Sequence, residues 1–349
     1  MKVLILHGYS SLNAGDGLLV EHTIDMLREA FDDTAEISLV ASRPETFADL
    51  PLRIYNSAPG IRGYSKSYLR LLRRMAEFDL IVGVGGGYLR AGRPVELAKT
   101  LIVHGPQLIA ASLSDAPTVY LPQSIGPARY GSRRAAAALL GRINTVYGRD
   151  DRTISEFQGV GISRAPDLAL LAPEHPQFAR GLPDPVPVLS VRALNGAVPP
   201  LVAELAEYLG EFDGYIQSAV GGNDDTEAMT RLGPGKIIPR DELLNPTQPR
   251  VVVAVRLHAA LMAMQAGHYV IHLAYERKGF GAFQDLDLSD FVHNVNKFEP
   301  ERVMQQISAL SSDNHARADY ERRVLAARSD AKVERQRIVE SLRSAARAG

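Results

Sequence analysis

Two α/β domains, each a parallel sheet wound with helices on both faces, are what this sequence predicts. Short β-branched runs alternate with longer helical patterns, the alternation occurs in both halves, and a proline-rich stretch separates them. The length agrees, because 349 residues exceed the roughly 250–300 at which a single core stops growing.

The first run, KVLIL (2–6), leads through a Ser/Asn/Gly loop into DGLLVEHTIDMLREAF, whose leucines and isoleucines recur at helical spacing, with Asp16 placed to cap it. EISLVAS is the next strand. SYLRLLRRMAEF reads as a helix with a basic face, and DLIVGVGGG as a strand that breaks abruptly into three glycines. VELAKTLIVHGPQLIAAS is a helix interrupted at Gly105 and Pro106, since proline has no N–H to continue the ladder. TVYLPQSIGP begins as strand, RRAAAALLGR is helical, and INTVYGRD opens as another strand.

The prolines of LLAPEHPQFARGLPDPVP (170–187) forbid regular helix and make a stiff connector. Beyond it come VPVLSVRAL as strand, PLVAELAEYLGEF as helix and GYIQSAV as strand. VVVAV, HAALMAMQA and YVIHL then form a βαβ unit. The charged tail keeps helical spacing with few apolar residues, as a surface helix does. The expected division is a Rossmann-like domain over 1–172, a linker over 173–187, a second Rossmann-like domain over 188–312, and a helix over 313–349 that packs back on the first domain.

Composition narrows the function classes. Hydrophobic residues at 46% and charged residues at 23% are those of a folded soluble protein. A net charge of -1 gives no global electrostatic case for nucleic acid. MKVLILHGY carries a run of only four apolar residues before His7, too short for a signal-peptide core, and no apolar run reaches membrane-spanning length. Zero cysteines exclude thiolate metal sites, thiol catalysis and disulfides, and fit a reducing, cytoplasmic compartment.

In an open parallel sheet, ligands bind outside the carboxyl ends of the strands, where loops and helix N-termini converge. The polar residues of this sequence fall there. In the first half these are Asn13 and Asp16 after KVLIL, Gly86 and Gly87 after DLIVGV, Gln123 after TVYL, and Arg149 after INTVYG. In the second half they are Arg192 after VLSV, Arg256 and His258 after VVVAV, and Lys278 after YVIHL. A cation at the end of an apolar run needs a partner, which for Arg256 is a ligand anion or a core carboxylate. Bland readings stand beside the others: Asp16 as a helix cap, Arg149 neutralised within its own RDDRT run, Lys278 in a solvated loop. His104 and His272, inside apolar patterns, read as structural. The acidic DLDLSD (285–290) lacks a histidine partner and reads as solvent-facing rather than metal-binding.

The series NAGD (13–16), GVGGGYL (83–89), LPQSIGP (121–127), GRDDRTIS (148–155), PDLAL (166–170), RLHAALMAMQAG (256–267) and YERKGFG (275–281) resembles the polysaccharide pyruvyl transferase family, from Lys2 to about Phe283. The resemblance implies two facing Rossmann-like doubly wound domains, similar to the glycosyltransferase B type fold, with the acceptor on the first and the donor on the second. It implies transfer of the carboxyvinyl unit of phosphoenolpyruvate to a sugar of an exopolysaccharide as a pyruvate ketal, with phosphoenolpyruvate as co-substrate and no metal or other cofactor. A lipid-linked oligosaccharide is among the possible acceptors, which would bring the chain to the inner face of a membrane through SKSYLRLLRR (65–74). Donor-binding and catalytic roles fall by resemblance on Arg149, Arg256, His258 and Lys278, and Leu257 between Arg256 and His258 is counted with the substrate-binding residues. His258 suits a general acid and base because imidazole titrates near neutrality, and Asp16 is a second base. A small carboxylate-phosphate donor needs several fixed cations, and arginine's fork can hold either group. The alternatives are a nucleotide-sugar glycosyltransferase of the same shape and a non-catalytic carbohydrate-binding relative.

Overall fold

The computed structural model describes residues 1–172, 178, 181–219 and 224–348. Part of the expected linker, 173–177 and 179–180, lies outside the described residues. The chain divides into two compact units. One comprises Met1–Ser11, Asp16–Leu171 and Val333–Gly349; the other comprises Leu12–Gly15 and Ala172–Lys332.

The first unit is built on seven strands: β1 (Lys2–Gly8), β2 (Glu36–Ala41), β3 (Arg53–Asn56), β4 (Leu80–Gly83), β5 (Thr118–Gln123), β6 (Thr145–Gly148) and β7 (Ser163–Arg164). They run parallel in the order β3-β2-β1-β4-β5-β6-β7. β4 and β5 are buried throughout and β1 from its second residue, as expected of central parallel strands covered on both faces. The connections include α1 (Ala14–Phe31), α2 (Lys66–Arg73), α3 (Pro94–Lys99), α4 (Gly105–Leu113), α5 (Ser132–Leu140) and α6 (Asp151–Glu156). One core face gathers Leu4, Leu6 and Ile81 from the sheet with Tyr68 of α2, Leu108 of α4 and Leu140 of α5.

The interruption expected at Gly105 and Pro106 takes a definite form. A π-turn over Thr100–His104 joins α3 to α4. Pro106 has no N–H for the carbonyl of Ile102, and the Tyr64 hydroxyl donates to that oxygen at 2.5 Å. Asp16 is not the cap of α1. The helix begins at Ala14, and the Asn13 side chain accepts from the Gly15 N–H at 3.3 Å. Asp16 sits in the first turn, where a carboxylate complements the helix dipole.

The second unit holds β8 (Asp184–Ser190), β9 (Asp213–Gly214), β10 (Arg250–Ala254), β11 (Tyr269–Ala274) and β12 (Val292–Asn294), parallel in the order β12-β11-β10-β8-β9. Its helices are α7 (Pro200–Leu209), α8 (Thr226–Thr230), α9 (Arg240–Leu244), α10 (Leu257–Gln265), α11 (Arg277–Asp285), α12 (Pro300–Ser312) and the first part of α13 (Asn314–Ala348). Of GYIQSAV, residues 215–219 are not part of a strand and 220 lies outside the described residues: β9 is a two-residue edge, with a single bridge from Gly214 to Ile237 on its outer side among the described residues. YERKGFG is not a loop, because α11 starts at Arg277 and places Lys278 in its first turn.

The last turns of α13 belong to the first unit. There Arg335 pairs with Glu29 at 2.7 Å and donates to Leu171 O at 2.8 Å, while Arg343 donates to Ala30 O at 3.0 Å. No described helix is long and apolar enough to cross a membrane.

Candidate active site

In an open sheet the crevice opens where the strand order reverses, since successive connections there leave on opposite faces. The first unit reverses between β1 and β4, and the second between β8 and β10. Each reversal carries a polar group, and the two groups differ in character.

At the first, the next-to-last residue of β1 is His7, which is buried and held at φ 71. This left-handed conformation is uncommon for a residue with a Cβ. Its Nε2 lies 3.0 Å from Tyr120 OH, its Nδ1 lies 3.3 Å from His104 Nδ1, and its ring stacks on Tyr88 at 4.4 Å. Burial, with the neighbouring His104 second, holds the His7 imidazole well below its usual range. Burial and the Lys99 charge hold His104 down to about 3. Both rings are therefore neutral at physiological pH.

Beside them the turn after β4 lies along the end of β5, with the Ser124 N–H donating to Gly86 O at 2.7 Å. Gly86 takes φ 148, open to glycine and strained for other residues. A Cβ at Gly87 would stand 3.2 Å from Arg149 Nη2, so the bare turn lets backbone lie against the guanidinium. Arg149 donates from Nε to Ser124 Oγ at 3.0 Å and from Nη1 to Asp167 Oδ2 at 2.5 Å. Its own run does not neutralise it. Asp150 caps α6 by accepting from the Thr153 N–H at 2.9 Å, and Asp151 pairs with Arg164 at 3.1 Å. Gln123 is fully buried, and neither of its amide atoms has a hydrogen-bond partner among the described residues; nor has Tyr88 OH.

At the second reversal, β8 runs out through Ser190 to Arg192, and β10 through Val255 to Arg256. Ala254 lies opposite Ser190, and the Val255 N–H donates to Ser190 O at 2.8 Å. Arg256 is the cap residue of α10, followed by Leu257 and half-buried His258 in its first turn. The sequence left Arg256's partner as a ligand or a carboxylate, and the structure supplies Asp225. Arg256 donates from Nε to Asp225 Oδ2 and from Nη2 to Asp225 Oδ1, the latter at 2.7 Å. A buried guanidinium needs a counter-charge from the fold itself, whatever later arrives. Burial raises the Asp225 carboxyl above its usual value, against the Arg256 hydrogen bonds and the charges of Arg256 and Arg192.

Arg192 also reaches across to the end of β11. It donates to Tyr275 OH at 2.5 Å, with its guanidinium carbon 5.1 Å from that ring's centroid. Three residues on, Lys278 meets Glu276 at 3.2 Å and stays about a fifth exposed. A Cβ at Gly15 would fall 2.2 Å from His258 Nδ1, so this position of the NAGD motif admits no side chain while the imidazole stays there.

The structure thus gathers the expected residues into two groups. Gly86, Gly87, Gln123 and Arg149 belong to the first unit with Asp16. Arg192, Arg256, Leu257, His258 and Lys278 belong to the second with Asn13. Sequence reasoning missed Asp167, Asp225 and Tyr275. It also missed Ser190 Oγ, Ser218 Oγ and Gln217 Oε1, three buried atoms of the second unit without a hydrogen-bond partner among the described residues. The end of β8 could have revealed Ser190, and Asp167 stands in the PDLAL motif, whereas Asp225 left no local mark.

Comparison with known families decides the affiliation. The sequence model described as polysaccharide pyruvyl transferase matches residues 13–214, more than half of the chain. The chain belongs to the polysaccharide pyruvyl transferase family. The matched span takes in NAGD, the glycine turn, Arg149 and Arg192, and ends before Arg256. A search of curated proteins gives no match. Among solved structures, a glycosyltransferase from Rickettsia africae is 9% identical with a TM-score of 0.58, covering 99% of this chain and 98% of that one. An O-GlcNAc transferase mutant of Thermobaculum terrenum is 14% identical with a TM-score of 0.52, covering 100% of this chain and 68% of that one. At such identities the likeness is one of fold: two Rossmann-like domains of glycosyltransferase B type.

Proposed function

We propose that this pyruvyl transferase family member moves the carboxyvinyl unit of phosphoenolpyruvate onto two hydroxyls of a sugar in an exopolysaccharide or cell-surface glycan, giving a pyruvate ketal and inorganic phosphate. What carries the reading is the grouping of Arg192, Arg256 and His258 at the β8/β10 reversal, with Lys278 in the first turn of α11 after the adjoining β11. The donor carries a carboxylate and a phosphate on a three-carbon frame. Two guanidinium groups, an ammonium and the N-terminal turns of α10 and α11 suit such an anion, each charge-assisted bond contributing about 1.5–3 kcal/mol. Asp225 fixes the plane of Arg256 before the donor arrives, and the hydroxyls of Ser190 and Ser218 offer further donors.

The reaction needs a proton delivered to the methylene carbon, which leaves the central carbon electrophilic. One sugar hydroxyl adds there, phosphate departs, and a second hydroxyl closes the ketal. The first hydroxyl's proton replaces the one delivered, and the second leaves with phosphate. His258 is the group placed to give and retake a proton, with Asp16 as an acceptor-side base. Neutral Gln123 and Tyr88 in the first unit suit sugar hydroxyls, with Arg149 beside them. The reaction requires no metal or further cofactor, and the absence of cysteines fits a cytoplasmic setting.

The test supplies phosphoenolpyruvate, and separately UDP-sugars, with a panel of galactosides and mannosides. Acceptor-dependent release of inorganic phosphate from phosphoenolpyruvate is expected. Nucleoside diphosphate release without phosphoenolpyruvate turnover would replace the reading with glycosyl transfer. Sugar affinity indifferent to phosphoenolpyruvate, with no turnover, would replace it with carbohydrate binding alone.

A further inference from the structure

The segment from α3 through the π-turn to α4 is inverted relative to an ordinary surface helix. Its inner face is packed with His104, Gln107, Leu108 and Ala111. Its outer face carries Val95, Ile102, Ile109 and Leu113, spaced seven, seven and four residues apart, with Leu101 beside them. A helix keeps such spacings on one side. Exposures of 79% at Val95, 60% at Leu101 and 62% at Leu113 leave this aliphatic row in solvent. Contiguous exposed apolar surface of this kind marks an interaction site.

α2 packs beside α4, its Tyr68 and Leu71 entering the same core cluster as Leu108 and Ala111, so the two helices turn their outer sides the same way. The outer side of α2 presents Lys66, Arg70, Arg73 and Arg74. Only Arg74 meets a carboxylate among the described residues, Glu77 at 2.5 Å. Just before α2, a tight turn closed by Gly60 and Gly63 holds Ile61 and Arg62 at its tip, with Ile61 fully exposed. On α3, Glu96 turns to Arg90 at 3.3 Å.

We propose that this face of the first unit, the aliphatic row of α3 and α4 bordered by the cations of α2 and the Ile61–Arg62 tip, docks on an anionic lipid bilayer. An aliphatic row flanked by unpaired cations is how an interfacial helix lies at the headgroup boundary: the apolar side chains enter the acyl edge and the cations meet lipid phosphates. A second copy of the chain fits worse, because a two-fold contact sets each patch against itself and brings like charges together. The inference does not depend on the reaction proposed above.

The test is co-sedimentation of the full chain with vesicles of phosphatidylcholine alone and of phosphatidylcholine mixed equally with phosphatidylglycerol. Binding to the mixed vesicles and not to the neutral ones is expected. Arg70→Glu with Arg73→Glu should weaken it at least thirtyfold, roughly, as each lost cation removes about fivefold in affinity and reversal adds repulsion. Ile109→Glu with Leu113→Glu should weaken it at least tenfold, roughly. Circular dichroism and the thermal midpoint should stay unchanged; if the glutamates lower the midpoint, Ile109→Ser with Leu113→Ser takes their place. No sedimentation with anionic vesicles, or binding that both variant pairs leave intact, overturns the proposal. So does a wild-type dimer that the Ile109 and Leu113 changes dissociate while vesicles stay unbound.

Discussion

The two sheet reversals make an instructive pair. At β1/β4 the charged group, Arg149, is locked to Asp167 with both side chains 2% exposed, and the imidazoles around it are neutral by burial. At β8/β10, Arg256 is equally locked to Asp225, yet Arg192 and His258 near it, and Lys278 after the adjoining β11, are only half-buried. An arginine closed on every side is first a structural element. One surrounded by accessible cations and a helix N-terminus is equipped to take an anion. The same residue type in the same place on the same fold therefore serves differently according to what its neighbours leave open.

The sharpest way to break that contrast is His258→Ala, which should lower turnover by two to four orders of magnitude, roughly, with the fold intact, as loss of a placed acid and base does. Single-turnover phosphate release measures it, and unchanged turnover removes the assignment. Arg149→Ala tests the closed side. It strands Asp167 in the interior and should cost about 3–5 kcal/mol of unfolding free energy in urea. A loss below about 1 kcal/mol would mean that the ion pair is less buried than its geometry indicates.

Acid should reveal the neutral imidazoles. His104 is held to about 3, and His268 and His272 to about 4, chiefly by burial, whereas an unfolded histidine titrates at about 6.5. Each folded pKa lies below the unfolded one, so below about 6.5 the unfolded chain takes up protons that the native state does not. Their contribution to stability is therefore constant above pH of about 6.5 and is lost as pH falls toward about 4. At pH 5 each such histidine should remove about 2 kcal/mol. Urea midpoints at pH 7 and pH 5 measure it, and His104→Gln should lessen the drop; an equal drop in that variant would contradict the assignment. Lys278→Ala is the mildest change. It should weaken phosphoenolpyruvate binding about tenfold and leave stability within about 0.5 kcal/mol, because a partly exposed pair with Glu276 holds little of the fold together.

Much of the fold was legible because parallel strands buried on both faces are written as continuous apolar runs, as in VVVAV and YVIHL. The edge strands β3, β9 and β12 were not, since short pieces with few core contacts carry little pattern. The strand-end rule placed Arg192, Arg256 and His258, but it could not distinguish a ligand from a carboxylate as the partner of a buried cation. Asp225 and Asp167 lie 31 and 18 residues from their arginines, and no local periodicity joins residues so far apart. Arg250 illustrates the limit: it opens β10 as Arg256 follows it, and it is paired with Asp213 at 2.6 Å. Only the end of the strand on which each arginine stands separates scaffold from candidate site. Leu101, Ile109 and Leu113 mark another limit, because helical spacing of aliphatic residues is as a rule that of a buried face and these face outward.

Calorimetric titration of phosphoenolpyruvate into the wild type, Arg192→Ala and Gln123→Ala probes most directly whether the donor sits at the second reversal. Arg192→Ala should weaken binding at least tenfold, roughly, through loss of a charge-assisted fork, while Gln123→Ala should bind as the wild type does. Undiminished affinity in Arg192→Ala together with lost affinity in Gln123→Ala would move the donor to the first unit and contradict the account.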